Sequence, residues 1–143
     1  RYAEILLNYA EAMNEWKGPD ATAEGCPLTA RAALNQVRDC ADMKHVTENG
    51  ADFTAKVRNE RRIELAFEGH RFYDIRRWRI AGLDEVRNLY GVKITKSGTS
   101  LSYEKVLLQQ MYWNDKMYLF PYPQNEIYMN PDLGQNSGWS NGN

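Results

Sequence analysis

The chain has 143 residues, of which 43% are hydrophobic and 12% aromatic, and this composition is typical of a globular region rather than a disordered one. Lysine and arginine number 18 and aspartate and glutamate 19, so a net charge of −1 provides no overall positive field for a nucleic-acid backbone. No run of residues approaches the roughly eighteen consecutive apolar positions of a membrane-spanning helix. We therefore expect a globular region that neither binds nucleic acid nor crosses a membrane.

The first predicted element is an amphipathic helix over residues 1–16. Polar residues recur at helical spacing along one side, and the opposite side is apolar, with Tyr2, Leu6, Tyr9, Met13 and Trp16. The sequence therefore begins inside a helical pattern, and it does so without an initiator methionine. We interpret residues 1–143 as the C-terminal region of a longer single-domain protein.

A second helix is predicted to begin after a loop rich in glycine and proline. Thr29 is a suitable N-cap because its hydroxyl can accept a hydrogen bond from a backbone N–H of the first turn. The apolar positions of this helix are Leu34, Val37 and Ala41. Cys40 lies roughly 16 Å along the helix, whereas the Cα atoms of a disulfide lie within about 7 Å of each other. We expect the first two helices to form a hairpin, without a disulfide between Cys26 and Cys40.

A third helix is predicted from Asp52, its N-cap, to Gly69. At about 100° per residue, Glu60 and Glu64 fall within the apolar stripe of this helix. That stripe is defined by Phe53, Val57, Ile63 and Phe67. A buried carboxylate without a partner costs several kcal/mol. The two glutamates are therefore predicted to pair with arginines inside the fold or to line a site.

Two carboxylates at this spacing also fit the separation of about 5 to 10 Å that glycosidases use. Each acid in this stretch, however, has an arginine within three or four positions. The pairs are Arg61 with Glu64, Glu68 with Arg71, and Arg71 with Asp74. An arginine partner favours the ionised carboxylate, whereas a general acid must carry a proton. We therefore interpret these residues as structural ion pairs and predict that the chain is not an enzyme.

A shorter fourth helix is predicted from Arg71 to Ala81. Phe67, Phe72 and Trp78 recur at helical spacing around this helix and are predicted to be core residues. Four helices in two pairs indicate helical-repeat packing, although the sequence has no fixed repeat period.

The pattern changes after the fourth helix. Residues 92–95 and 101–103, on either side of a Lys-Ser-Gly-Thr turn, predict a small β-hairpin. Residues 118–123 are predicted to be extended, because proline disfavours the helical conformation of the residue before it. A short helical turn is predicted from Gln124 to Met129. The predicted fold is therefore mostly α, with helical-repeat helix pairs, a small β-hairpin and an irregular, aromatic-rich C-terminal segment.

Tyr103, Tyr112 and Trp113 are the candidate ligand-binding residues, because they lie in a loop-rich segment where a flat ring can stack on the C–H face of a sugar. Packing in the core or the hairpin is the alternative role for each of them. His45 and His70 show no metal-ligand spacing with the cysteines, and the sequence contains no phosphate loop or nucleophile elbow. We therefore predict no metal, no cofactor and no catalytic residue.

Four motifs carry a family resemblance, and they are Arg1–Glu4 with Tyr9–Ala12, then Ala33–Arg38, then Glu60–Trp78, and finally Leu119–Pro123 with Asn130-Pro131 and Gln135–Trp139. In this order they resemble the C-terminal region of the SusD/RagB family of nutrient-binding outer-membrane lipoproteins. Residues 79–117 match that family only loosely.

The resemblance implies a mostly helical protein built on tetratricopeptide-like helix pairs. It also implies a location on the external face of a Gram-negative outer membrane, with a lipid anchor upstream of this region as the only membrane attachment. Family members capture glycans, or sometimes peptides, and cover a TonB-dependent transporter of the SusC type.

These expectations converge on non-enzymatic binding of oligo- or polysaccharides at the cell surface and their delivery to a SusC-type transporter. The alternative from a different class is a helical-repeat scaffold that docks a partner protein and has no small-molecule ligand. Binding to an oligosaccharide array distinguishes the two, because only the first predicts hits.

Overall fold

The computed structural model describes residues 1–130 and 132–140, and most of its elements are helices. In chain order they are α1 (Tyr2–Lys17), α2 (Ala30–Asp39), α3 (Gly50–Glu64), α4 (His70–Arg77), α5 (Asp84–Arg87), β1 (Asn88–Ser97), β2 (Ser100–Gln110), a single 3₁₀ turn (Asp115–Tyr118) and α6 (Gln124–Met129). The predicted class, mostly α with a small β-hairpin, is confirmed. The chain divides into a first unit, Arg1–Arg71, and a second unit, Phe72–Asn143.

The core of the first unit lies where α1 packs against α2 and α3. Its buried apolar side chains are Leu6, Leu7, Ala10, Met13, Ala30, Ala33, Leu34, Val37, Val46, Phe53, Val57 and Leu65. Full burial of one large apolar side chain contributes about 1.5 to 3 kcal/mol relative to exposure. This packing of three helices is therefore the main source of stability in the unit.

Of the two N-caps predicted from the sequence, the one of α2 is confirmed and the one of α3 is not. Thr29 is the N-cap of α2, as predicted, and its Oγ1 accepts a hydrogen bond of 3.1 Å from the N–H of Ala32. The predicted cap at Asp52 is wrong, because α3 begins at Gly50 and Asp52 lies in its first turn. A carboxylate there is stabilised by the positive end of the helix dipole. Helix α2 ends at Asp39, so Ala41 lies beyond it and is exposed.

Helix α3 ends five residues before the predicted Gly69. Leu65 leaves the helical conformation with φ −100° and ψ 26°, and Phe67 has a φ of 64°. The amides of Ala66 and Glu68 then form turn hydrogen bonds instead of helical ones. Because the helix stops, the predicted apolar stripe is not continued into the core.

Several predicted core positions are exposed. Ile63 is 58% exposed and Phe67 is fully exposed, so their assignment to the core is wrong. Phe72 is 42% exposed and Trp78 is half-buried. In helix α1, Leu7 and Ala10 are buried, whereas Tyr2 and Trp16, at its two ends, are exposed.

The second unit contains the predicted hairpin in a longer form. Strands β1 and β2 pair antiparallel over their whole lengths, with an irregularity between Leu89 and Tyr90. The turn is tight because Ser97 pairs with Ser100, and Gly98 has a φ of 60°, which a glycine adopts without strain. The helical turn predicted from Gln124 to Met129 is confirmed as α6.

The segment between the hairpin and α6 is only partly extended. Tyr118 closes the 3₁₀ turn, so the prediction that it is extended is wrong, and the extended backbone begins at Leu119 with φ −118° and ψ 137°. The motif residue Pro131 and the last three residues of the predicted domain, 141–143, lie outside the described residues.

Candidate ligand-binding surface

Of the two glutamates that the sequence placed on the core face, Glu60 is buried and paired, whereas the side chain of Glu64 is 32% exposed. Glu60 is 8% exposed, and its carboxylate accepts a hydrogen bond from Nη1 of Arg38, which lies twenty-two residues upstream. Nε of Arg38 donates to the carbonyl oxygen of Lys44 at 2.7 Å. The predicted arginine pairing of Glu60 is therefore confirmed, and it joins α2 to α3.

The other acids of this stretch also contact arginines. Glu64 and Glu68 lie 3.4 and 2.6 Å from Nη2 of Arg1, and the side chains of both glutamates are about one third exposed. In the second unit, Asp74 is 3% exposed and accepts a hydrogen bond of 2.8 Å from Nε of Arg77. Hydrogen bonds between a guanidinium and a carboxylate are charge-assisted and stronger than neutral ones. These contacts support a structural role for the acids.

A polar cleft of about 390 Å³ lies beside α2 in the first unit. Its walls include Asn35, Asp39 and His45. Asn35 already accepts a hydrogen bond of 2.9 Å from the amide of Val46, and Nε2 of His45 lies 2.6 Å from Oδ1 of Asp39. None of the described lining residues is Phe, Tyr or Trp, so this cleft lacks the flat apolar surface on which a sugar ring stacks.

Arg31, at the edge of this cleft, holds several segments of the first unit together. Its Nε and Nη2 donate to the carboxylate of Asp20 at 2.6 and 2.9 Å, and its Nη1 donates to the carbonyl oxygens of Val46 and Glu48. The guanidinium also lies 5.0 Å from the ring centroid of Phe53. The hydrogen bond from Arg31 holds the pKa of Asp20 below its ordinary value. The donors of Arg31 are therefore committed to the fold.

The three predicted ligand-binding residues have different surroundings. Tyr112 follows β2 and is 73% exposed. Tyr103 lies within β2 and is 66% exposed. Trp113 is half-buried.

Tyr103 is separated from the other two along the strand. Gln110, the last residue of β2, is seven residues after Tyr103, which corresponds to about 24 Å at 3.4 Å per residue. The structure therefore does not gather the three rings into one small site. A ligand that contacts both Tyr103 and Tyr112 must be extended.

Trp113 takes part in the packing of the second unit. Its ring meets Tyr118 edge to face at a centroid distance of 4.8 Å, and a Cβ atom added to Gly82 would lie 2.9 Å from its Cδ1. The guanidinium of Arg76 lies 5.4 Å from the same ring. This contact set gives Trp113 a structural role in addition to any ligand contact.

Arg76 is enclosed by aromatic rings, a feature that does not follow from the sequence pattern. Its guanidinium lies 3.5 Å from the ring centroid of Phe72 and 6.0 Å from that of Phe120, in addition to the contact with Trp113. Phe72 and Phe120 stack with centroids 5.9 Å apart. The only available signal was the four-residue spacing of Phe72 and Arg76, because Trp113 and Phe120 are remote in the sequence.

Residues 135–139 of the C-terminal motif form hydrogen bonds with the backbone of the extended segment before α6. Gln135 exchanges two hydrogen bonds with the backbone of Tyr122, at 2.7 and 3.1 Å, and Nδ2 of Asn136 donates to the carbonyl oxygen of Phe120. Nε1 of Trp139 donates to the carbonyl oxygen of Leu119 at 3.1 Å. These polar side chains satisfy backbone groups that a strand partner would otherwise satisfy.

Within residues 1–130 and 132–140, no three or more His, Cys, Asp or Glu side chains are grouped to hold a metal ion. No helix of the described part of the chain combines the length and apolar character that crossing a membrane requires.

Comparison with known proteins identifies the family. The SusD family model matches residues 1–139. The chain belongs to the SusD family. A curated SusD relative, the SusD-like protein P25 of Formosa agariphila, is 28% identical over 155 residues. That alignment covers 99% of this chain and 24% of the relative.

The crystal structure of a SusD-like protein from Bacteroides fragilis NCTC 9343 is also similar. It superposes with a TM-score of 0.76 at 38% sequence identity, and the match covers 97% of this chain and 25% of that protein. The chain therefore spans about a quarter of the length of the SusD relatives that it matches. The sequence-based assignment to this family is confirmed.

Proposed function

We propose that the protein containing this chain binds glycans at the cell surface and delivers them to a TonB-dependent transporter of the SusC type. The observation that carries this proposal is the match of residues 1–139 to the SusD family. Capture is reversible, through stacking on aromatic rings and hydrogen bonds. The protein is held on the external face of the outer membrane by a lipid anchor upstream of this region.

Within this chain, the proposed ligand contacts are Tyr103, Tyr112 and Trp113. Support comes from the exposure of the two tyrosine rings, at 66% and 73%, because stacking on a sugar requires an open face. Trp113 is the weakest of the three contacts, since its ring already packs against Tyr118 and Gly82.

The test is a glycan array probed with the intact protein and with two matched variants. Tyr112→Ala is expected to weaken binding of each glycan that the parent binds, by about five- to a hundred-fold, which corresponds to about 1 to 3 kcal/mol. Tyr128→Ala is the control, because Tyr128 is 70% exposed on α6 and is not a proposed contact. An array without hits would overturn the proposal and favour a protein-docking scaffold.

We also propose that bound glycans are not cleaved. The support is that Glu60, Asp74 and Glu64 each contact an arginine. Chromatography of each bound glycan after incubation with the pure protein is expected to show no new product. Product that disappears in Glu64→Gln would contradict the proposal.

A further inference from the structure

The two faces of the β-hairpin have different compositions. In an antiparallel pair, residues directly opposite each other project to the same side. One side, which we call the tyrosine face, consists of the pairs Tyr90 with Leu107, Val92 with Lys105, Ile94 with Tyr103, and Lys96 with Leu101. The other side carries Gly91 with Val106, Lys93 with Glu104, Thr95 with Ser102, and Ser97 with Ser100. Apolar and aromatic side chains are therefore concentrated on one face.

The apolar and aromatic residues of the tyrosine face are exposed. The exposed fractions range from 47% for Tyr90 to 66% for Tyr103. A contiguous exposed patch of this kind usually marks an interaction site. Burial against further protein is disfavoured by Lys96 and Lys105, because lysines are rarely buried in an apolar interface without an acidic partner.

Charge is also separated between the two faces. The hairpin contains three lysines and one carboxylate, Glu104. Glu104 lies on the opposite face, where its carboxylate is 3.8 Å from Nζ of Lys93. Lys96 and Lys105 thus share the tyrosine face with no carboxylate of the hairpin. This face is cationic, although the chain as a whole has a net charge of −1.

The positions of these side chains suit an extended ligand. Tyr90 and Tyr103 are separated by about 14 Å along the strands, because Tyr103 pairs with Ile94, four residues from Tyr90. Lys105 lies between them, with its Nζ 3.9 Å from the ring centroid of Tyr90. The ammonium group of Lys105 therefore covers one face of the Tyr90 ring, and a chain of sugar rings along the strands would meet this ammonium group and the ring of Tyr103.

We infer that the tyrosine face binds an acidic oligosaccharide, one that carries uronate or sulfate groups. This inference rests on the proposed glycan-binding function and adds the charge class of the ligand. Tyr103 stacks on a sugar ring, Tyr90 positions the ammonium group of Lys105, and Lys96 and Lys105 contact the anionic groups. Because these contacts are at the surface, salt screens them strongly.

The test uses the intact protein and compares pairs of glycans with the same sugar backbone, one acidic and one neutral or less charged. Oligogalacturonides and their methyl esters form one pair, and sulfated carrageenan oligosaccharides and their desulfated forms are the other. The acidic member of at least one pair is expected to bind at least about tenfold more tightly than its neutral counterpart. Its affinity is expected to fall as sodium chloride is raised from about 50 to 500 mM.

Variants then assign the effect to one face of the hairpin. Lys96→Gln and Lys105→Gln are each expected to weaken binding of the acidic glycan about fivefold, the factor that corresponds to the upper limit for an exposed ion pair. Lys93→Gln is the matched control, because Lys93 lies on the opposite face beside Glu104. It is expected to leave the affinity unchanged.

The outcomes separate this inference from the function on which it rests. Neutral glycans that bind as tightly as acidic ones, with Lys96→Gln and Lys105→Gln unaffected, would overturn the inference and leave glycan binding standing. An absence of binding to every glycan tested would overturn both. If Lys105→Gln lowered the thermal midpoint by several degrees while glycan affinity stayed normal, the face would be packed within the protein and the inference would be wrong.

Discussion

Removal of the Glu60 carboxylate is expected to destabilise the first unit far more than removal of the Glu64 carboxylate. Glu60→Ala leaves the guanidinium of Arg38 in a largely buried position without its ion-pair partner. Glu64→Ala removes an acid whose partner, Arg1, is half-exposed. The two substitutions delete the same group from the same helix, so the difference between them isolates the effect of burial.

The expected loss of stability in each variant follows from how exposed its ion pair is. The side chains of Glu60 and Arg38 are 11% and 16% exposed, and breaking a buried pair costs about 3 to 5 kcal/mol. Arg38 keeps its hydrogen bond to the carbonyl oxygen of Lys44, so we expect the lower end, about 3 kcal/mol. The side chains of Glu64 and Arg1 are 32% and 52% exposed, and the expected cost there is at most about 1 kcal/mol.

The assay is hydrogen exchange of backbone amides in α2 and α3 of the intact protein, because exchange measures the free energy of local opening. A double variant, Arg38→Met with Glu60→Leu, provides a second control. Replacement of a buried ion pair by apolar side chains is often neutral, so the double variant should cost about 1 kcal/mol, mainly from the lost bond to Lys44. The single variants of this pair, Arg38→Met alone and Glu60→Leu alone, should each cost more than the double variant, because each leaves one buried charge unpaired.

Two results would refute this reasoning. Equal changes in opening free energy for Glu60→Ala and Glu64→Ala would show that burial of the first pair has no energetic consequence. A double variant at least as unstable as the two single variants combined would show that the apolar pair cannot fill the site, and that unpaired charge is not the cause of the loss.

Three further predictions concern other contacts. Trp113→Ala is expected to destabilise the second unit by about 2 kcal/mol in a urea titration, and Tyr112→Ala by less than about 0.5 kcal/mol. The reason is that the ring of Trp113 is packed and that of Tyr112 is not, and equal effects of the two substitutions would contradict this. Gly82→Ala should also destabilise, since its Cβ would lie 2.9 Å from Trp113, and near-ultraviolet circular dichroism should report a moved indole ring. The hydrogen bond from Arg31 lowers the pKa of Asp20. The stabilisation of the fold by this bond is therefore fully present at a pH above the ordinary pKa of 3.8, and it is lost as the pH falls through the lowered pKa. Asp20→Asn should reduce the dependence of the thermal midpoint on pH below about 4, and an unchanged acid profile would contradict the assignment.

The sequence by itself determined the order and type of the main elements. The apolar period of residues 1–16 and the capping hydroxyl of Thr29 are local signals, and α1 and α2 follow them. The hairpin was predicted from residues 92–95 and 101–103 on either side of the Lys-Ser-Gly-Thr turn, because strand and turn preferences are also local properties of the sequence. The four motifs were sufficient for the family assignment. The buried position of Glu60 also followed from helical spacing alone.

Only the tertiary structure decided which groups meet and where the periodic pattern stops. The partner of Glu60 is Arg38, and spacing along one helix cannot indicate a contact between helices. Helix α3 ends at Glu64, so Phe67 lies beyond the helix and is exposed, and Ile63, within the helix, is exposed as well. Trp113 packs against Tyr118 and Gly82 while Tyr112 stays open, and two adjacent aromatic residues give no local signal of that difference. Contacts between remote residues depend on how the elements pack together, and local propensity contains no information about that arrangement.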